Sequence, residues 1–174
     1  MDTTAPIQSF YDLGGLSEAG YERVVSASPA ELARIAQWEQ VQSVDRFEGR
    51  VTLKRLSQKR FRYDATLTAE ITQSCVVTLE PVRTQITRNF SRELHFTASR
   101  NRDESVSVSL SPVEDEAPED IESLRFDLAG PLLEEFSLAI DPYPRSPGIE
   151  FEPLQDELPD PESPFAVLKS LNRG

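Results

Sequence analysis

Residues 61–72 read FRYDATLTAEIT, and their apolar and polar side chains alternate without a break. A period of two is that of a β-strand, so the pattern predicts a strand with one buried face and one solvent-exposed face. Strands of parallel sheets are usually apolar on both faces, so the polar side favours an antiparallel sheet. The positions predicted to be buried are Phe61, Tyr63, Ala65, Leu67, Ala69 and Ile71.

The neighbouring segments extend this sheet. Upstream, Val51 and Leu53 alternate with polar residues, and the break at residues 57–60 predicts an antiparallel hairpin with the 61–72 strand. Even-numbered apolar positions between residues 82 and 96 predict another strand. Alternating Ser and apolar residues over 105–110 predict one more. The sequence therefore predicts a sheet with one side in water, either open or curled towards a barrel.

Short helices accompany the sheet. Ser28 followed by Pro29 is typical of a helix N-terminus, and apolar residues at helical spacing predict a helix over 29–40. Trp38 falls on or beside the apolar stripe and is predicted to be a core residue. A second helix is predicted over 132–140, ended by Pro142. Together these elements indicate an α+β fold.

The chain divides into three parts by composition. Residues 1–27 give weak signals and are left as a poorly defined segment, although residues 10–15 fit a short strand and turn. Residues 28–141 are predicted to form the core domain, with an acidic solvated loop at 113–123. Residues 142–174 are rich in Pro and acidic side chains, which predicts an extended tail.

The charge is unevenly distributed. Residues 1–100 contain 13 Lys and Arg against 12 Asp and Glu, whereas residues 101–174 contain 5 against 18. A protein that coats nucleic acid over a wide surface is normally basic, so any RNA contact is expected to be local and within the first hundred residues. The acidic half suits a basic protein partner better.

Catalytic and metal-binding patterns are weak. His95 is the only histidine and is expected to be an exposed or half-buried strand residue. Cys75 is the only cysteine, which excludes an intramolecular disulfide, and its neighbours Val76 and Val77 predict a small apolar residue in the sheet. We expect no enzymatic activity, no metal or other cofactor and no small-molecule substrate. The first residues resemble neither a signal peptide nor a membrane span, so we expect a cytoplasmic protein with no membrane partner.

A basic cluster spans the predicted hairpin. By strand parity, four of its members share the solvent side, where they could hold a phosphate backbone without reading sequence. The alternative is ordinary strand-edge charge that discourages aggregation. The candidate RNA-binding residues are Arg50, Lys54, Arg55, Lys59, Arg60 and Arg62.

The tail ends in an apolar run. Ser163 and Pro164 predict the start of a short helix that is too short to be stable alone in water. It must pack on its own domain or in a groove of a partner, and the long extended linker slightly favours a partner. The candidate docking residues are Phe165, Leu168 and Leu171.

Several stretches together resemble the large ribosomal RNA subunit accumulation proteins, the YceD-like family. The tail ending is the most specific of them, and the likeness runs from about residue 28 to the C-terminus. In the family's Cys-x-x-Cys segment this chain retains Cys75 but has Thr78 at the second position, so a zinc site is not expected here. The stretches are SPAELARI (28–35), QSCVVTLEP (73–81), FDL (126–128) with EEFSLAI (134–140), and SPFAVLKSL (163–171).

The resemblance implies an α+β protein needed for accumulation of large-subunit ribosomal RNA, without established enzymatic activity. The expected function is therefore a non-catalytic ribosome-assembly accessory whose partner is large-subunit ribosomal RNA or a ribosomal protein of the precursor particle. The alternative is a protein-interaction adaptor or holdase without RNA contact, for which the acidic half and the apolar tail would suffice. An uncharacterised enzyme comes last.

Overall fold

The computed structural model describes residues 5–97 and 118–148, which form an α+β fold. A five-stranded sheet carries most of the core, and a separate two-stranded ribbon and two helices pack against it. In chain order the elements are β1 (Phe10–Asp12), a 3-10 turn (Leu13–Gly15), β2 (Tyr21–Ser26), α1 (Pro29–Trp38), β3 (Ser43–Arg55), β4 (Arg60–Ser74), β5 (Pro81–Phe96), β6 (Glu119–Ile121), β7 (Arg125–Asp127) and α2 (Ala129–Ala139).

The main sheet has the order β2-β3-β4-β5-β6, and the first four strands are antiparallel neighbours. β6 pairs in parallel with the end of β5, so the sheet is mixed and not purely antiparallel. Within the described ranges the sheet is open, with β2 and β6 at its edges, and the expectation of a barrel-like closure is wrong. The predicted acidic loop is also wrong at residues 119–121, which form β6, because backbone pairing with β5 outweighs the low strand propensity of acidic residues.

The alternation that predicted β4 is confirmed. The side chains of Tyr63 and Leu67 are fully buried, those of Arg62 and Thr66 are exposed, and Thr68 is half-buried. The hairpin with β3 is confirmed too, and the even positions of β5 face the same core. The predicted strand at 105–110 lies outside the described residues.

Helix α1 begins where the sequence predicts. The Glu31 carboxylate accepts hydrogen bonds from the backbone N–H and the hydroxyl of Ser28, at 2.8 and 2.6 Å, and these bonds lower the pKa of Glu31. Ile35 anchors the helix in the core. Trp38 is 49% exposed, so its assignment to the core is wrong: the helix ends at this residue, and the chain turns away through Gln40 at a φ of 56°.

The N-terminal segment, whose sequence patterns are weak, contributes to the core. Ile7, Leu13, Leu16 and Val25 are buried, and β2 forms the edge of the main sheet. β1 pairs with β7 across more than a hundred residues of sequence. The Ser9 carbonyl also accepts a hydrogen bond from the Leu128 N–H at 2.8 Å.

Helix α2 covers the inner face of the sheet. The Phe136 ring meets Phe47 edge-on, with centroids 5.4 Å apart. The buried Tyr63 hydroxyl donates to the Leu128 carbonyl at 2.8 Å, and burial raises the pKa of this tyrosine. Neither α1 nor α2 is long and apolar enough to cross a membrane, and the described part of the chain contains no other α-helix.

Replacement of Leu67 by Asp is expected to unfold the domain. Leu67 is fully buried in the central strand, and an unpaired carboxylate there would lose about 1.5–3 kcal/mol of apolar burial in addition to its own cost of desolvation. Thr66→Asp is the matched control, because Thr66 is the neighbouring residue on the exposed face. Thermal unfolding followed by circular dichroism measures both. If Leu67→Asp melts like the parent protein, the assignment of the buried face is refuted.

Candidate nucleic-acid interface

The β3–β4 hairpin brings four of the six predicted cations to one side of the sheet. Lys54 lies opposite Arg62, and Arg50 lies opposite Thr66, on the face turned away from the core. Arg60 begins β4 on that same face. Strand parity therefore predicted their common side correctly. We call this surface the solvent face; the predicted cations on it are Arg50, Lys54, Arg60 and Arg62.

The other two predicted cations have different surroundings. Lys59 lies in the hairpin turn and is exposed. Arg55 points to the opposite face, where its Nη2 donates to the carbonyls of Leu13 and Gly14 at 3.1 and 2.9 Å. Its guanidinium also lies over the Phe61 ring. Arg55 thus ties the N-terminal segment to the hairpin, an arrangement that removes it from the solvent face.

Three of the arginines on the solvent face are paired with carboxylates. Arg62 contacts Asp64 at 2.9 Å, which raises the pKa of Arg62. Arg60 contacts Glu93 at 3.0 Å, and the more distant Glu22 lies 3.9 Å from Arg50. Exposed pairs of this kind contribute about 0–1 kcal/mol to stability, but they reduce the positive potential available to a phosphate.

Lys54 and Lys59 differ from these arginines. Neither makes an ion pair with any residue in the described ranges. They are therefore the cations of the hairpin that are most available to an incoming anion.

Hydroxyl and amide groups surround these cations. A shallow depression of the solvent face is lined by Thr52, Thr66, Asn89 and Ser91 beside Arg50. The Thr66 hydroxyl donates to the Asn89 amide oxygen at 2.7 Å. Side chains of these types contact phosphate and sugar oxygens in nucleic-acid complexes, together with Lys and Arg, without reading sequence. The Asp64 carboxylate lines the same depression.

His95 is half-buried, as expected. It lies opposite Arg60 at the end of β5, and its Nδ1 is 3.1 Å from an oxygen of Asp120 on β6. Within the described ranges no three His, Cys, Asp or Glu side chains are grouped to hold a metal ion.

Arg92 is a central residue that the sequence patterns did not single out. It lies on the core side of β5, largely buried, and its guanidinium meets three carboxylates from two other elements. These are Glu134 and Glu135 of α2, and Glu119 of β6. Arg92 therefore holds α2 and β6 to the sheet, and strand parity could have shown only that a cation occupies the inner face.

Cys75 is buried, as predicted, but it follows β4 in the turn before β5. Its sulfur accepts hydrogen bonds from the amides of Thr78 and Ser146, at 3.4 and 3.5 Å. The Thr78 hydroxyl, together with these amides, lowers the pKa of Cys75 to about 6. The sulfur thus joins the turn to the segment after α2 and is more than an apolar filler.

The tail candidates Phe165, Leu168 and Leu171 lie outside the described residues, and their docking stays a prediction. Residues 142–148 follow α2 without regular secondary structure.

Replacement of Cys75 by Ser should reduce the dependence of stability on pH. The folded thiol has a pKa of about 6, below its ordinary value of 9.0, so the thiolate contribution is complete above about pH 9 and is lost as the pH falls through 6. A serine hydroxyl does not titrate in this range. The difference in Tm between the parent and Cys75→Ser should therefore be larger at pH 9 than at pH 5.5. An equal difference at both values would contradict a stabilising thiolate.

Comparison with known proteins supplies one match. The model of a family described as large ribosomal RNA subunit accumulation protein YceD matches residues 63–172. No curated protein and no solved structure matches the chain. The matched region begins in β4, so the resemblance seen at residues 28–35 lies outside it. The matched region, residues 63–172, covers more than half of the chain. The protein therefore belongs to the YceD family of large ribosomal RNA subunit accumulation proteins.

Proposed function

We propose that the protein is a non-catalytic, cytoplasmic accessory factor in the accumulation of large-subunit ribosomal RNA, and that it contacts RNA through the solvent face and Lys59. The family name relates the chain to this RNA. The gathering of Arg50, Lys54, Arg60 and Arg62 on one face of the β3–β4 hairpin is the observation that carries the proposal. Cross-strand pairing makes a single surface from cations that are dispersed in the sequence.

The contact is weak and independent of sequence. Three carboxylates already accompany the arginines, so phosphate must compete with them. Of the predicted cations, Lys54 and Lys59 are exposed and have no such competitor among the described residues. The aromatic residue that lines the depression is Phe90, whose half-buried ring packs against Tyr63 of the core. The surface therefore suits the backbone of an RNA that is already positioned by other contacts.

A role without catalysis agrees with the chemistry of the described residues. His95 is engaged with Asp120, and the thiol of Cys75 has no exposed surface. Neither group lies beside a nucleophile and base arranged for covalent chemistry.

A second candidate is an adaptor or holdase that contacts a basic protein of the precursor particle. It is favoured by the excess of acid in residues 101–174, where 18 Asp and Glu face 5 Lys and Arg. Recovery of precursor particles before and after ribonuclease separates the two candidates: the RNA contact requires intact RNA, whereas the adaptor retains its protein partner.

Reversal of the unpaired lysines should weaken RNA binding. We expect the double variant Lys54→Glu/Lys59→Glu to bind large-subunit RNA less tightly, and the slope of log affinity against log salt to fall by roughly 0.7–0.9 for each lost phosphate contact. The fold should be unchanged, because neither lysine makes an ion pair with the described residues. Binding titrations at several salt concentrations measure the effect.

The matched control is Arg83→Glu/Arg88→Glu, which makes the same change in net charge. Both arginines are exposed on β5 and lie away from the hairpin turn, opposite Thr72 and Leu67 of β4. If the two double variants lose affinity equally, overall charge accounts for binding. If Lys54→Glu/Lys59→Glu binds like the parent, the adaptor becomes the better candidate.

Removal of a competing carboxylate should have the opposite effect. Glu93→Gln leaves Arg60 free of its 3.0 Å partner, so RNA binding should tighten and its salt dependence should steepen. Glu80→Gln is the control, because Glu80 is an exposed acid at the far end of the sheet. Equal tightening in both variants, in the same titrations, would show that the pair on the solvent face plays no special part.

A further inference from the structure

Exposed apolar side chains gather at the end of the sheet opposite the β3–β4 hairpin. They come from the turn between β4 and β5 and from the segment that follows α2. The two segments are joined by a hydrogen bond of 2.9 Å from the Val76 N–H to the Pro144 carbonyl. We call this surface the apolar end; it consists of Val76, Val77, Leu79 and Tyr143, of which Leu79 is 78% exposed and Tyr143 70% exposed.

The backbone conformation of Leu79 is unfavourable for its side chain. Its φ is 62°, in the left-handed region that Gly or Asn adopts more readily than a branched apolar residue. Its N–H closes the turn on the Cys75 carbonyl at 2.9 Å. A large apolar side chain is thus held out from the turn in a strained conformation, and no described residue covers it.

The ends of both helices adjoin this surface. Ser137 of α2 donates a hydrogen bond to Glu39, directly after α1, and the Gln73 amide donates to the Asp141 carbonyl. Trp38, next to Glu39, is 49% exposed, whereas the exposed Leu138 lines a separate depression with Phe90 and Glu135. The two hydrogen bonds fix the segment after α2 beside this end of the sheet.

The C-terminal part of the chain starts at the same place. The Ser146 amide donates to the Cys75 sulfur, and the described chain ends two residues later, at Gly148. Another 26 residues follow, of which 14 separate Gly148 from the apolar run at 163–171. The sequence of that linker is rich in Pro and acidic residues, and a linker of such composition reaches up to about 43 Å. The hairpin end lies about 45 Å away along β4, so the apolar end is the nearer surface.

We propose that residues 163–171 dock on the apolar end of the same chain. Phe165, Leu168 and Leu171 would cover the exposed apolar side chains of the turn. Lys169 and Arg173 would be near the exposed carboxylates of Glu80 and Asp141, whose charge is complementary. The sequence alone left docking on a partner slightly favoured; the exposed surface at the point where the tail begins changes that preference.

Covalent linkage makes even a weak contact effective. With an effective concentration of about 1 mM, a docking constant of about 0.1 mM would keep about nine tails in ten docked. The mini-helix is too short to be stable alone, and packing on the apolar end supplies the contact that it needs. The inference does not depend on the proposed RNA contact.

Hydrogen exchange of the full chain, measured by mass spectrometry, tests the proposal. We expect amides of residues 163–171 to exchange about tenfold more slowly in the parent than in Leu79→Asn, as nine-tenths occupancy requires. Asn suits the left-handed backbone, so this variant retains the turn while it removes the apolar side chain. Leu56→Asn is the matched control: Leu56 is 50% exposed at the hairpin end, and its loss should leave the tail protected.

The alternative results of the hydrogen-exchange experiment can be told apart. Exchange in 163–171 that is as fast in the parent as in Leu79→Asn overturns the proposal, as does loss of protection in both Leu variants. Protection that disappears on dilution assigns the surface to a second copy of the chain. Protection of 76–79 that appears only when precursor ribosomal particles are added assigns it to a partner. Either result refutes docking within the chain, and neither bears on the RNA-binding titrations.

Discussion

The distance between α2 and the sheet is set by Gly49. A Cβ at this position would overlap the side chain of Leu132, so the helix lies where it does because β3 has no side chain there. This close approach lets Phe136 reach Phe47 and places the Leu128 carbonyl over the Tyr63 hydroxyl. A helix one methyl group farther out would leave that buried hydroxyl without an acceptor, which is among the more costly defects of a protein interior.

The strands and helices whose pattern is local were predictable from the sequence. β4 alternates from residue 61 to residue 71, and Ser28 and Pro29 mark the start of α1, because both signals depend on neighbouring residues. β6 was missed because two acidic residues and one isoleucine carry no strand pattern of their own. They form a strand only by pairing with β5. In the N-terminal segment the short strand and turn at residues 10–15 are confirmed as β1 and the 3-10 turn. β2 was missed for the same reason as β6, because its partner lies in β3.

The sequence predicted the cations of the candidate interface but not the carboxylates that pair with them. Parity alone placed four cations on a common face, because hairpin geometry is regular. The carboxylates that accompany them could not be assigned in the same way: Glu22 comes from β2 and Glu93 from β5, so their positions depend on the registers of two further strand pairs. Arg55 does not lie on the solvent face, because its cross-strand neighbour is the buried Phe61 and directly opposed residues share a face. A charge cluster in sequence thus overstates the charge that a sheet presents to solvent.

The pairing of β1 with β7 has a consequence for synthesis. Residues 9–12 bind residues 125–128, so the two-stranded ribbon cannot form until residue 128 has left the ribosome. At ordinary elongation rates residue 128 is added roughly 6 to 23 s after residue 12, and it leaves the ribosome later still. During that interval Ile7 and Leu13 lack the partners that bury them in the finished fold. The nascent chain therefore exposes apolar residues to chaperones until translation has passed β7. Folding of the domain finishes late, as expected for a chain with many long-range contacts.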